Sequence, residues 1–341
     1  MNNPKETPGY SRRRFVERMA QGTVLAGTAA FSARPLFAVE ANPFAYDVSR
    51  FSKTDPALIA WEEVSRRVCP GKGVRRMAFG PNDVLHVAAE GQIVRLGANG
   101  TVSSIAAGAT VTCVAVAGDG TVYASLRDHV AVFDATGRRS ATWEAPDKRT
   151  WISSLALGAG GLFAADSGNR VILRYDLSGK ITGRIGAKNA ARNIPGLIVP
   201  SPFLEVKFHA DGLLRVNNPG RHRFEAYTID GDFESAWGAP SLAIAGFCGC
   251  CNPIGLALLP DGRTVTCEKG LPRVKVYRAD GTFESVVAGP ESFAANVKAC
   301  ADPGDCTKGG LDAAVDAQGR IHILDRVTTE IRVLQPKQGR A

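Results

Sequence analysis

Three of the chain's eight cysteines fall within Phe247-Cys248-Gly249-Cys250-Cys251-Asn252-Pro253. Cys267 follows shortly after, then Cys300 and Cys306. Thiols this dense, on a backbone set by Gly and Pro, admit three chemistries. Several thiolates can hold a metal ion or an iron–sulfur cluster, because soft ligands select such centres. The expected ligand set is Cys248, Cys250, Cys251 and Cys267, with Cys300 and Cys306 as further ligands or a separate disulfide. Alternatively Cys300–Cys306 is a short-loop disulfide and the remaining thiols pair nearby. Thirdly, the adjacent Cys250 and Cys251 form a thiol-exchange pair. The spacing matches no named ligand motif. Glu268, Lys269 and Arg273 place charge beside the thiols, and a thiolate near Lys or Arg has a lowered pKa. The simpler reading of those charges is a solvated loop.

Other chemistry is sparser. Of five histidines, His86 and His322 sit in strand-like stretches, His209 in a turn, and His129 and His222 in loops. A lone His is more often structural than a ligand. Asp166, Asn217 and Asp325 recur at matching points and either line a shared opening or cap local turns; the turn is the simpler reading. The chain contains no Gly-x-Ser-x-Gly elbow, no phosphate-binding loop and no His-Glu-x-x-His helix.

The elements that must position these residues repeat from Val74 onward. One series of turns ends in Gly100, Gly137, Gly179, Gly231 and Gly281. A second contains Asp83, Gly120, Gly161, Gly212, Gly262 and Gly319. Alternating strands such as Thr121-Val122-Tyr123-Ala124 flank them. Short strands joined by Gly turns at a period of about forty residues predict an all-β, six-bladed β-propeller. The stretch Ala165-Asp166-Ser167-Gly168-Asn169-Arg170-Val171-Ile172-Leu173-Arg174-Tyr175-Asp176 resembles the core of an NHL repeat. Weaker copies begin at Val216, Glu268 and Leu324. The resemblance covers nearly all of the chain after its N-terminal segment and implies the NHL-like propeller fold. It implies little about function, since propellers host lyases, lactonases and binding platforms alike. Some NHL-like lyases use channel histidines around a metal, and no stretch here matches such a motif.

The blades are expected at 74–108, 109–150, 151–189, 203–240, 253–290 and 309–335. The last lacks its outer strand. Leu58-Ile59-Ala60-Trp61-Glu62-Glu63-Val64 is expected to supply it, closing the ring between the two chain ends; Trp61, Val64 and Val68 also fit helical spacing. With strands a to d running outward from the channel, the short Gly turns are the a–b and c–d connections. The long loops, 187–202, 240–253 and 290–310, then share the opposite face, where function tends to sit. Every cysteine but Cys113 maps to that face, and Cys113 reads as a small core residue.

Ser11-Arg12-Arg13-Arg14-Phe15-Val16 precedes a weakly apolar run, and residues 1–38 resemble a twin-arginine export signal. That predicts a periplasmic protein with residues 39–341 as a single domain. The run is too short and polar to span a bilayer, so no transmembrane segment is expected after processing. Half of the formal charge of +8 resides in the signal, and no run of like charge remains, which argues against nucleic acid. The expectation is an exported accessory, binding or electron-transfer protein of a periplasmic or membrane-bound complex, carrying a metal ion or iron–sulfur cluster on its long-loop face. The alternatives are a metal-dependent hydrolase or lyase at the channel mouth, and a disulfide-stiffened protein-interaction platform.

Overall fold

The chain reverses where an acidic side chain and a glycine meet. Asp176 accepts hydrogen bonds from the N–H groups of Ser178 and Lys180 at 2.9 and 3.0 Å, and Asp316 holds Gln318 and Arg320 in the same way. Gly179 and Gly319 then take positive φ at 94° and 77°, which costs glycine nothing. The first reversal of blade one has no glycine at its tip. Asn82 and Asp83 themselves adopt φ of 58° and 53°, as short polar side chains can.

These turns join six four-stranded antiparallel sheets into a six-bladed β-propeller. The computed structural model describes residues 49–299 and 309–339. The 1–38 segment, Cys300 and Cys306 lie outside the described residues. Blades one to five span 77–106, 113–143, 152–185, 206–237 and 255–288. Blade six takes strands a to c from Leu311–Val315, Ile321–Asp325 and Glu330–Pro336, and its outer strand from the N-terminal Trp61–Val68. Glu62 pairs with Gln335 and Val68 with Glu330, so the ring closes as the sequence led us to expect. The closing strand starts three residues later than Leu58. Asp55 caps a 3-10 turn over Pro56–Leu58 by accepting from the Ala57 N–H at 2.9 Å, and a proline at the first position suits such a turn. Of this strand only Trp61 is buried, at 4% exposure, whereas Val64 is 43% exposed.

The core lies between blades. Clusters join blades one and two, two and three, three and four, five and six, and six and one. Blades four and five meet through aromatics: Phe224, Trp237 and Tyr277, with Phe247 from the cysteine loop. Trp237 and Tyr277 lie 4.8 Å apart, and Trp143 stacks on Tyr175 at 5.2 Å across the preceding alternate junction.

The innermost strands line a channel of about 310 Å³. Its walls are apolar, Met77, Val114, Leu155 and Phe208 among them, with Lys207 the exception. Toward the long-loop face a buried ion cluster crosses the axis. Arg76 of blade one donates to Glu205 of blade four at 2.8 Å, to Asp312 of blade six at 2.7 Å and to the Ile254 carbonyl at 3.1 Å. Asp312 accepts the Met77 N–H and Glu205 the Leu256 N–H, both at 2.7 Å. Lys207 completes the set on Glu205 at 2.9 Å. Two cations meet two anions, the condition under which buried charge is tolerated.

Candidate functional site

The 240–253 loop joins blades four and five, and Phe247 anchors it. Its ring is fully buried, 5.8 Å from Phe224 and 5.6 Å from Tyr277. Lys275, on strand c of blade five (Val274–Tyr277), lies with its Nζ 4.5 Å from the centre of the Phe247 ring and donates to the carbonyls of Ile244 and Gly246 at 2.9 and 2.7 Å. Glu268 takes both Lys275 Nζ at 2.8 Å and Arg273 Nη2 at 2.7 Å, all three side chains being buried. Asn252 locks the loop's other end. Its Nδ2 donates to the carbonyls of Cys248 and Lys269, and its Oδ1 accepts from the Lys269 N–H. The charges that read as a solvated loop are therefore the loop's interior frame. Glu268 and Lys269 are adjacent and buried, at 0% and 4% exposure.

The thiols divide by environment. Cys248 is buried on the frame: its Sγ lies 3.9 Å from Glu268 Oε2 and accepts from Arg273 Nη2 at 3.7 Å. Burial, reinforced by the Glu268 carboxylate, raises its pKa, and Arg273 only partly opposes them. The lowered pKa expected from neighbouring cations is thus corrected: Arg273, the cation nearest the thiol, is already engaged by Glu268. Cys250 is exposed and Cys251 buried, with sulfurs 3.5 Å apart. The bond to Cys251, then burial, raises the Cys250 pKa.

Cys267 goes elsewhere. It ends strand b of blade five (Thr264–Cys267), opposite Gly255, at the place that Asp166 holds opposite Ile152 and Asp325 opposite Leu311. A side chain at Gly255 would press on Cys267 Cβ at 2.9 Å. Fully buried, Cys267 has its pKa raised well above the usual thiol value by burial and by Asp312 and Glu205. Cys113 is buried too, and burial raises it to about 12. Cys69, also buried, sits where blade six meets blade one, its N–H donating to the Thr329 carbonyl at 2.9 Å. All six described thiols are free. Among the described residues no group of three or more His, Cys, Asp or Glu could hold a metal ion. The structure thus joins Cys250 to Cys251, sets Cys248 on the ionic frame, and places Cys267 beside the axial cluster.

Of the polar recurrences, Asp166 and Asp325 cap local turns, while Asn217 ties the start of blade four to the start of blade five. Asp166 accepts from the N–H groups of Trp151 and Asn169 at 3.0 and 3.1 Å. Asn217 bridges the Phe203 and Pro253 carbonyls, and Asp325 accepts from Asn296 Nδ2 and the Val327 N–H. Of the histidines, His222 reaches the cysteine loop, its Nε2 on the Gly249 carbonyl. His129 contacts Asp128 at 2.7 Å, and His322 contacts Asp316 at 2.9 Å.

Sequence reasoning passed over the axial cluster and the residues above it. On the long-loop side of Arg76 lies a narrow cavity of about 40 Å³, lined by Arg75, Thr112, Trp151, Ser153, Phe203 and Arg326 among others. One signal was available. Glu205 and Asp312 interrupt or adjoin apolar innermost strands, where an ionisable group needs a partner.

No family model matches the chain, and no curated protein matches it. Solved structures do. A streptogramin B lyase superposes with a TM-score of 0.57 at 12% identity, covering 81% of this chain and 97% of that one. A catalytically inactive virginiamycin B lyase from Staphylococcus aureus, with quinupristin, gives 0.55 at 14%, over 79% and 83% of the two chains. A Bacteroides thetaiotaomicron protein of unknown function gives 0.55 at 15%, over 81% and 76%. At these identities the likeness is one of fold.

Proposed function

We propose that the chain is an NHL-type propeller, exported by the twin-arginine route, that serves as a binding or accessory protein through its long-loop face. Its reactive feature is the adjacent thiol pair Cys250–Cys251. The observation that supports this is the 3.5 Å separation of the two sulfurs, one of them exposed. Two thiolates on one zinc ion lie roughly 3.7–3.8 Å apart, given Zn–S bonds of about 2.3 Å. The pair is therefore set to take a soft, thiophilic cation with little rearrangement. Binding would release the proton of Cys250, whose raised pKa keeps it a thiol at neutral pH.

A four-thiolate cluster is less well supported. Cys248 and Cys267 are held by other partners, and Cys300 and Cys306 lie outside the described residues. The loop's rigidity suits a presented site, since Phe247, Asn252 and Lys275 fix its backbone from within.

Elemental analysis and thiol counting on protein purified without oxygen tests the reading. The expected result is a soft metal bound to the wild type and lost from the Cys250→Ser, Cys251→Ser variant, with the melting temperature of the apo blades unchanged. Metal-free protein whose thiols are oxidised in pairs would overturn the metal site and favour a disulfide-stiffened interaction platform.

A further inference from the structure

Above the axial ion cluster the charges of the described residues do not balance. Arg76 and Lys207 are matched by Glu205 and Asp312. Arg75 and Arg326 are not: neither has a carboxylate within ion-pair distance among the described residues, and the Nε of each is buried without a hydrogen-bond partner. Arg326 follows strand b of blade six and lies with its guanidinium 5.3 Å from the centre of the Phe203 ring. Gly310, whose N–H side is tied to Asn296 and whose carbonyl accepts the Arg326 N–H, has no side chain to block it; a Cβ there would lie 3.6 Å from Arg326 Nη1. Burial, with Arg76 and Arg75 close by, pulls the Arg326 pKa down to about 9. A guanidinium does not give up its proton at neutral pH, so the strain appears as a demand for a counterion.

The surroundings supply what a bound anion needs. Arg75 and Arg326 both line the cavity between the Trp151 and Phe203 rings, and because the Thr112 and Ser153 hydroxyls there already donate to the Ile152 and Leu204 carbonyls, the guanidiniums are its donors. Its volume of about 40 Å³ exceeds the roughly 10–15 Å³ that one water requires and falls far below the ~300 Å³ of a drug-sized pocket. It admits one small charged head group, with the rest of any ligand projecting onto the long-loop face. We infer that the channel mouth is a binding site for a small oxyanion, the carboxylate or phosphate group of a ligand, held by the forked guanidiniums of Arg75 and Arg326. Guanidinium forks match both groups bidentately. The site shares no side chain with the Cys250–Cys251 pair.

Thermal melts and calorimetric titrations at constant ionic strength, in chloride buffer, test the inference with acetate, succinate, sulfate and phosphate as probes. The wild type should show saturable stabilisation by at least one of them. Response to acetate or succinate assigns a carboxylate ligand, and response to sulfate or phosphate a phosphorylated or sulfated one. Arg326→Met should weaken that binding at least about tenfold and, without anion, melt no lower than wild type, because it removes an uncompensated charge. Arg75→Met provides a second reading should the first variant fold poorly. The Cys250→Ser, Cys251→Ser variant should keep the full response, which separates this site from the thiol proposal. Equal shifts in wild type and both arginine variants would overturn the site. So would a response that appears only after Asp302→Asn with Asp305→Asn, because the chain's own carboxylates would then be the counterion.

Discussion

At the level of single residues, the molecule spends its buried charge on holding loops still. Lys275 illustrates the cost. It is fully buried between Glu268 and the Phe247 ring, and burial lowers its pKa to about 8, the carboxylate only partly offsetting the loss of water. Between pH 8 and the unfolded value near 10.5 the folded chain binds fewer protons at this site than the unfolded chain does. Stability contributed here therefore rises with pH across that window, and is lost as pH falls through 8, by up to about 1.4 kcal/mol per unit. Urea melts between pH 7.5 and 10.5 should show this rise in the wild type. Lys275→Met should flatten it, and an identical slope in both would mean the amine is solvated.

At the level of elements, the strand that closes the ring depends on a single side chain. Trp61–Val68 is paired along its length with Glu330–Pro336, yet its side chains face water except for the buried Trp61 and the half-buried Arg67. Trp61 joins the cluster between blades five and six. Hydrogen bonds alone contribute modestly on an outer strand, because water replaces them. Trp61→Ala should cost about 3–5 kcal/mol, whereas Val64→Ala should stay within about 0.5 kcal/mol. Chemical denaturation distinguishes the two. A small effect at Trp61 would show that the backbone ladder by itself secures the closure.

At the level of the whole molecule, the axial cluster ties together blades that share no sheet edge. Arg76 alone contacts groups from blades four, five and six. Arg76→Met would leave Glu205 and Asp312 facing each other in a buried site. The expected loss is about 3–5 kcal/mol. Because burial already raises the Asp312 pKa, the loss should shrink as pH falls and that carboxyl takes a proton. Denaturation of both proteins at pH 7 and pH 5 measures this. A deficit independent of pH would point to lost packing instead of unpaired charge.

What the sequence determined by itself was local. Asp-Gly and Asp-x-x-Gly reversals, alternating strands and their forty-residue period are short-range signals, and they were enough for six blades and for the borrowed N-terminal strand. The face assignment of Cys250 and Cys251 followed from strand alternation. Tertiary structure decided which charges meet. Arg76 and Asp312 are separated by 236 positions, and only closure of the ring brings them within 2.7 Å. The fate of Cys267 was decided in the same way. Its position after an apolar strand resembles that of a loop ligand, but the strand's last residue turns inward against Gly255. The setting of Arg326 was illegible for a related reason: that no described carboxylate lies within ion-pair distance of it is readable only once the described carboxylates nearby are placed on other groups.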